Sequence, residues 1–277
     1  MSIGENIRKL REGRVLEDGS RLTQEKLADR LGVSFQAVSS WERDEYIPET
    51  KKLIDLAKEL DASVDAILND RKMEFKTNKT LYDWEHMKTY VKTTAKHFKM
   101  SNAYISADYA VEAHEGQKRK KSDTPYIYHP LIIACHALSM DIHDDEIIAA
   151  CLLHDVVEDC GKKYEELPVS EEIKHLVRLL TMEKCNDSFR DEVLKNYYKG
   201  IADNPKAALV KCLDRCNNLT TMSWGLSRER IYRKIKETEE YYPKLIKVLK
   251  ATQEYNNASW LLKYQIESML DIYKRLM

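Results

Sequence analysis

Apolar positions recur along this chain with the period of a helix. In "IGENIRKLREGR", Ile3, Ile7 and Leu10 fall at i, i+4 and i+7; in "LTQEKLADRLGVSFQAVSSWE", Leu27, Ala28 and Leu31 form one apolar face, and Val38 and Trp41 turn inward from the next segment. Thr23 stands where an N-cap belongs, Gly32 where a helix stops, and Ser34 caps a second helix running through Glu42. Two short helices joined by a three-residue turn containing glycine make a helix-turn-helix arrangement. Residues 71–82, "RKMEFKTNKTLY", lose the periodicity and read as a linker. Helical signals resume near Trp84 and continue through the last long stretches, about 228–252 and 254–275. The pattern predicts an all-α chain: a domain over 1–70, a linker over 71–82 and a second domain over 83–277.

Composition agrees. Eight glycines in 277 residues, well below the usual ~7%, leave little material for hairpins, and hydrophobic residues at 43% suffice for a substantial core. A net charge of −1 excludes a bulk field that would draw the protein to nucleic acid or to an anionic membrane, so anion binding has to be local. Six cysteines form no CxxC pair, and no signal peptide or long apolar run precedes them. They read as reduced thiols of a cytoplasmic protein with no membrane segment.

Three stretches of the second domain place acids, imidazoles and amides where core packing would not want them. "AVEAHEGQKRKKSDTPYIYHP" (110–130) runs through a basic cluster, Lys118 to Lys121, and delivers His129 just before Pro130, at a helix entrance. "LLHDVVED" (152–159) sets His154, Asp155, Glu158 and Asp159 among apolar residues of a helix expected from Asp144 onward; Ile147, Ile148, Cys151, Leu152 and Val156 form its buried stripe, and His154 and Glu158 share a face. "ALVKCLDRCNNLTTM" (208–222) aligns Lys211, Asp214 and Asn218 on one helix face. Ionised groups on a buried helix require a partner or a metal. Two imidazoles and two carboxylates from three segments are a ligand set for a divalent cation, and mixed His/Asp ligation favours Mn²⁺, Fe²⁺ or Zn²⁺ over Ca²⁺. Such a cation suits hydrolysis of a phosphate ester or anhydride. His86, His97, His136, His143 and His175 read as structural.

The first domain resembles the Cro/C1-type (XRE) helix-turn-helix family through Gln24, Ala28, Gly32, Val33, Ser34, Val38 and Trp41-Glu42, a likeness that extends through "IPETKKLIDLAKELDASVDAIL". It implies a second helix entering the major groove of a double-stranded DNA operator from its start at Ser34, with Phe35, Gln36, Ser39 and Ser40 as base readers and Gln24 and Arg43 on phosphates. Residues 1–70 carry 11 Lys and Arg against 15 Asp and Glu, a net of −4 that works against phosphate binding, so a docking or dimerisation role stands as the alternative.

In the second domain, His129, His154-Asp155 and Asp214 reproduce the H…HD…D signature of HD-domain metal-dependent phosphohydrolases. "AHEGQKRKKSDTPYIYHP", "AACLLHDVVED" and "VKCLDRCNNL" further resemble the (p)ppGpp hydrolase domain of RelA/SpoT homologues. That likeness, over roughly residues 100–245, implies a helical HD fold that binds one Mn²⁺ through His129, His154, Asp155 and Asp214 and removes pyrophosphate from the 3′ position of (p)ppGpp. It gives Glu158 and Asp159 the attacking water and the proton transfers, and assigns substrate contacts to Arg119 and Asn218; Lys120, Lys121 and Lys211 complete the expected cationic set. One extra residue before "PY" makes Arg119 and Lys120 rivals for one role, and Cys216-Asn217 replaces the usual Leu-His, altering the wall around Asn218. No stretch is left over for the synthetase domain of the long family members, so hydrolysis without synthesis is expected. The last two helices, with Leu245, Ile246 and Leu249 and then Leu261, Leu262 and Ile266, suit packing or a homodimer. The rival expectations are an antitoxin-like hydrolase of (p)ppApp or of pyrophosphorylated tRNA, and a regulator that senses nucleotide without cutting it.

Overall fold

The computed structural model describes residues 2–16, 19–68, 83–119, 123–182, 189–224 and 226–276; the expected linker, and with it Lys120 and Lys121, lies outside the described residues. The described chain is helical with no strand, and it divides into two compact units, Met1–Thr77 and Asn78–Met277.

The first unit holds α1 (Ile3–Glu12), α2 (Gln24–Leu31), α3 (Phe35–Glu42), α4 (Thr50–Glu59) and α5 (Val64–Leu68). Thr23 caps α2 by accepting from the Lys26 amide, and Ser34 caps α3 by accepting from that of Ala37. Gly32 closes α2 at φ 61°, a left-handed conformation that glycine adopts without the strain a Cβ would bring. Ile7, Leu22, Leu27, Val38 and Leu56 are almost fully buried and form the core. Gly4 lets α1 approach α3 closely: a Cβ there would lie 2.3 Å from the Trp41 carbonyl oxygen.

The second unit comprises α6 (Trp84–His97), α7 (Ser101–Ala113), α8 (Tyr128–Ser139), α9 (Asp145–Leu153), α10 (Val156–Asp159), α11 (Glu171–Leu180), α12 (Arg190–Ala202), α13 (Pro205–Thr221), α14 (Arg228–Ala251) and α15 (Asn256–Leu276). Helix α9 is the centre: every residue from Ile147 to Leu153 is buried, among α7, α8, α11 and α13. Asp144 caps it through the amides of Glu146 and Ile147.

One expected element is corrected. The helix from Asp144 does not run unbroken through Asp159; it stops at Leu153, turns through His154 and Asp155, and resumes as α10. The His154 ring is the physical reason, because its Nδ1 lies 2.9 Å from the Cys151 carbonyl oxygen, which in a continuous helix would accept from the amide of residue 155.

Candidate active site

Three helices deliver the acidic and imidazole groups to one point. His129 enters from the first turn of α8, His154 and Asp155 from the break after α9, and Asp214 from the middle of α13. His129 Nε2 lies 3.4 Å from Asp155 Oδ2 and 3.3 Å from Asp214 Oδ1; His154 Nε2 lies 3.2 Å from Asp155 Oδ2 and 3.9 Å from Asp214 Oδ1. Donors that meet a metal at about 2 Å stand about 3–4 Å apart, the spacing found here.

The rings are oriented for ligation. His129 Nδ1 lies 2.6 Å from Asn217 Oδ1, as His154 Nδ1 lies 2.9 Å from the Cys151 carbonyl. Both partners accept, so each Nδ1 carries the proton and each Nε2 is left to present its lone pair. His154 Nε2 is buried and makes no hydrogen bond among the described residues. A buried polar atom left in this way is costly, and a divalent cation would satisfy it. His129, His154 and Asp155 therefore form a group that could hold a metal ion, with Asp214 Oδ1 beside it.

Electrostatics point the same way. Burial alone would raise the Asp155 pKa, but His154 and His129 hold it well below the ordinary range; Asp214, also buried, is depressed by Lys211, 3.0 Å from its Oδ2, and by His129. Burial alone would lower the pKa of His129, but hydrogen bonds to Asp155 and Asp214 carry it up to about 9. A divalent cation would take the place of that proton.

Around this centre lie two cavities. The smaller, about 230 Å³, is lined by His129, Asp155, Glu158, Asp214, Lys211 and Arg190; the larger, about 520 Å³, by Gln117, Lys118, Arg119, Leu219, Met222 and Leu226. Tyr126, Asp159, Arg215, Asn218 and Lys234 line both. Glu158 faces the smaller cavity, where burial and the carboxylates of Asp155 and Asp159 push its pKa up. Asp159, like Glu158, keeps an exposed side chain, and its carboxylate accepts from the Tyr126 hydroxyl.

Arg119 lies 5.5 Å from the centre of the Tyr126 ring and donates to Thr221 Oγ1 at 2.8 Å; Lys118 pairs with Asp123. Of the two rivals for one role, Arg119 therefore lines the cavity, and Lys120 lies outside the described residues. Asn218 donates to Asp214 Oδ1.

Several site residues escaped sequence reasoning. Tyr126 stands 2.7 Å from Asp155 Oδ2 and 2.9 Å from Asp159 Oδ2, so its hydroxyl donates to one carboxylate at a time and ties the ligand to the acid. It was within the quoted "TPYIYHP" stretch, but nothing distinguished it from Tyr128. His114 stacks against it. Asn217, noted only as a departure from the usual pattern, faces His129 rather than walling Asn218, and Cys216 points into the core toward the Leu262 carbonyl. Asn217→Ala is expected to weaken Mn²⁺ binding about 10- to 100-fold, the usual effect of losing such an outer partner. Calorimetric titration measures this, and an unchanged affinity would refute the orienting role.

In the first unit, Ser34, Phe35 and Gln36 are exposed at the start of α3, Ser40 is half-buried, and Ser39 is buried and accepts from Arg43 at 2.6 Å. Arg43 also pairs with Glu45, and Gln24 donates to Glu42 Oε2 at 2.7 Å. Arg8, Arg11, Arg21 and Arg43 line one concave face with Gln24 and Phe35, but Glu12, Glu25 and Glu42 line it too, and Arg8 and Arg11 pair with Glu12 and Glu42.

A helix-turn-helix family model matches residues 18–67, and an HD-domain model matches residues 106–247. The guanosine-3′,5′-bis(diphosphate) 3′-pyrophosphohydrolase of Aquifex aeolicus is 35% identical over 163 residues, 57% of this chain and 23% of that protein. A probable enzyme of the same name from Synechocystis sp. is 32% identical over 185 residues, 64% of this chain and 22% of that protein. The GTP pyrophosphokinase rsh of Brucella melitensis is 36% identical over 155 residues, 53% of this chain and 20% of that protein. The chain thus spans less than a quarter of the length of these relatives.

Proposed function

The chain belongs to the HD-domain family, with a helix-turn-helix domain ahead of the HD domain, and from that premise we propose a Mn²⁺-dependent hydrolase that removes the 3′-pyrophosphate of (p)ppGpp-like nucleotides. Residues 83–277 form the hydrolase, and residues 1–70 read a DNA operator and link nucleotide turnover to transcription. The observation that carries this reading is the meeting of four ligand atoms from three helices where two cation-lined cavities join.

When bound, the cation supplies Lewis-acid polarisation of a phosphoryl oxygen. The chain's own residues do the rest. Glu158, which faces the smaller cavity, takes the proton of the attacking water as the new P–O bond forms. The bond from phosphorus to the 3′ oxygen breaks as pyrophosphate is released, and that oxygen takes up the proton that Glu158 removed from the water, relayed at the boundary of the cavities, where the Tyr126 hydroxyl holds Asp159. Arg119 and Lys234 offset the phosphate charge, with Lys120 and Lys121 next to Arg119 in sequence, while Lys211 and Asn218 hold Asp214 in place. The larger cavity accommodates a nucleoside between apolar Leu219, Met222 and Leu226 and the Arg119 plane.

Incubation of the protein with Mn²⁺ and a panel of ppGpp, ppApp and pyrophosphorylated tRNA tests this. Release of pyrophosphate from ppGpp is the expected result; release from the others alone reassigns the substrate, and release from none refutes hydrolysis.

For the first domain, DNA selected from a random pool is expected to converge on one sequence. Gln36→Ala is expected to lose about 1–3 kcal/mol of discrimination at one base pair. Recovery of unrelated fragments alone would leave the domain a docking role. Among the described residues the cysteines are free thiols, which supports a cytoplasmic location, and no helix is long and apolar enough to cross a membrane.

A further inference from the structure

The lining of the smaller cavity includes the cations Arg190, Lys211, Arg215 and Lys234. Three of them stand against a carboxylate of the protein: Lys211 pairs with Asp214 at 3.0 Å, Arg215 with Glu237, and Lys234 with the same Glu237 at 3.1 Å. Arg190, half-buried at the start of α12, forms no ion pair and no side-chain hydrogen bond among the described residues.

The helix fixes the direction of this side chain. Arg190, Leu194, Tyr197 and Tyr198 line the cavity together at i, i+4, i+7 and i+8, so α12 turns one face toward it. Two hydroxyls on that face hold the register: Tyr197 donates to the Leu180 carbonyl at the end of α11, and Tyr198 donates to Glu237 of α14 at 2.7 Å. Met182 and Leu194 supply apolar lining on the same side. A guanidinium drawn partly out of water beside such groups, with no carboxylate of its own, favours an anion.

Its place relative to the two cavities says which anion. Tyr126, Asp159, Asn218 and Lys234 line both cavities and so mark where they join, whereas Arg190 lines the smaller one alone. On the reading proposed above, the nucleoside occupies the larger cavity and its 3′ oxygen lies at the junction. The phosphorus bonded to that oxygen then faces the centre formed by His129, His154 and Asp155, and the second phosphate of a 3′-diphosphate extends away from the nucleoside, into the part of the smaller cavity that Arg190 lines.

We infer that Arg190 receives the outer phosphate of a 3′-diphosphate and so sets the length of phosphate chain that the site prefers; the inference rests on the nucleotide reading of this site. Arginine suits the task, because its planar fork offers parallel N–H donors to two oxygens of one phosphate, whereas a lysine acts as a point charge. A 3′-monophosphate reaches the same centre without touching Arg190. No bond to the outer phosphorus forms or breaks, so the contact is equal in the ground state and the transition state. Uniform binding of that kind lowers KM and leaves kcat alone. Arg190 is therefore a specificity residue, distinct from Glu158 and Asp155, whose loss falls on kcat.

Two nucleotides that differ by the outer phosphate alone test the inference: ppGpp, and guanosine 5′-diphosphate bearing a single 3′ phosphate. Turnover of the first gives KM and kcat, and competition by the second gives its inhibition constant. Arg190→Gln is expected to raise KM for ppGpp about 10- to 100-fold, the usual effect of losing a charge-assisted contact, with kcat within about threefold of the parent. The inhibition constant of the monophosphate is expected to stay within about twofold, since that ligand does not reach residue 190. Arg190→Lys, which keeps the charge and loses the fork, is expected to fall between parent and Arg190→Gln, and circular dichroism is expected to be the same for all three. A KM that stays at the parent value in Arg190→Gln overturns the inference while the hydrolase reading stands. So does a loss that falls on kcat, or one shared equally by the monophosphate. A parent protein that releases no pyrophosphate from ppGpp refutes the hydrolase reading itself, and the inference falls with it.

Discussion

Asp155→Ala is expected to reduce pyrophosphate release at least 1,000-fold and to weaken Mn²⁺ binding in parallel, because one carboxylate oxygen serves three groups. Asp155 Oδ2 lies 3.4 Å from His129 Nε2, 3.2 Å from His154 Nε2 and 2.7 Å from the Tyr126 hydroxyl. Its loss removes a carboxylate charge from the centre and leaves the Tyr126 hydroxyl to Asp159 alone. A bound cation contributes several kcal/mol to the transition state, and about 1.4 kcal/mol is tenfold in rate. Asp155→Asn, which keeps the volume and an acceptor, separates charge from shape and is expected to lose nearly as much. Both losses are read by pyrophosphate assay and by titrating free Mn²⁺. Activity within tenfold of the parent would exclude Asp155 from the centre.

The same substitution has a pH signature in metal-free protein. His129 is carried from 6.5 to about 9 in the fold, so its proton stabilises the folded state in full below about pH 6.5, and this contribution fades as pH rises through about 9. Without Asp155 one of the two supporting acceptors is gone, and the fall in melting temperature across that window is expected to flatten.

Glu237→Ala is expected to destabilise the HD unit by about 3–5 kcal/mol, measured by urea unfolding, because it strands a buried cation. Arg215 is 4% exposed and pairs with Glu237, whose Oε1 also accepts from the Tyr198 hydroxyl at 2.7 Å. Arg215 reaches Glu237 through Nη2, which also donates to the Tyr198 hydroxyl at 3.2 Å; its Nε has no hydrogen bond among the described residues, and the guanidinium lies 4.8 Å from the centre of the Tyr242 ring. Burial works against the Glu237 charge, but Arg215 and Lys234 hold its pKa down to about 2. A depressed carboxylate contributes fully above its ordinary value of 4.5, and that contribution is lost as pH falls through about 2, so parent and variant should converge in acid. A difference below 1 kcal/mol at neutral pH would mean that the pair is dispensable.

Arg215 also follows Asp214 directly on α13, so the pair that steadies the helix stands next to a ligand. Sequence reasoning singled out Asp214 and passed over Arg215, since an arginine in a helical stretch reads as a surface charge until its burial is known. Glu237 lies 22 residues further on, and periodicity alone does not connect them.

What was legible locally came from neighbours within a turn or two. Thr23, Gly32 and Ser34 mark helix ends because caps act over three or four residues, and the buried stripe of α9 follows from spacing alone. The residue types of the centre were legible too: His154 and Asp155 side by side in an apolar run announce a cost that only a partner or a metal removes. The break after Leu153 was not, because it depends on which carbonyl the His154 ring captures.

The amino-acid sequence on its own determined the helices, the apolar faces and the presence of imidazoles and carboxylates that cannot rest unpartnered in a core. Only the tertiary structure decided that His129 faces Asn217 across 88 positions, that Tyr126 joins Asp155 to Asp159, and that Arg215 finds Glu237. Helix formation is settled by contacts a few residues apart, whereas the orientation of a ligand and the pairing of a buried charge depend on helices distant in sequence, which only packing brings together.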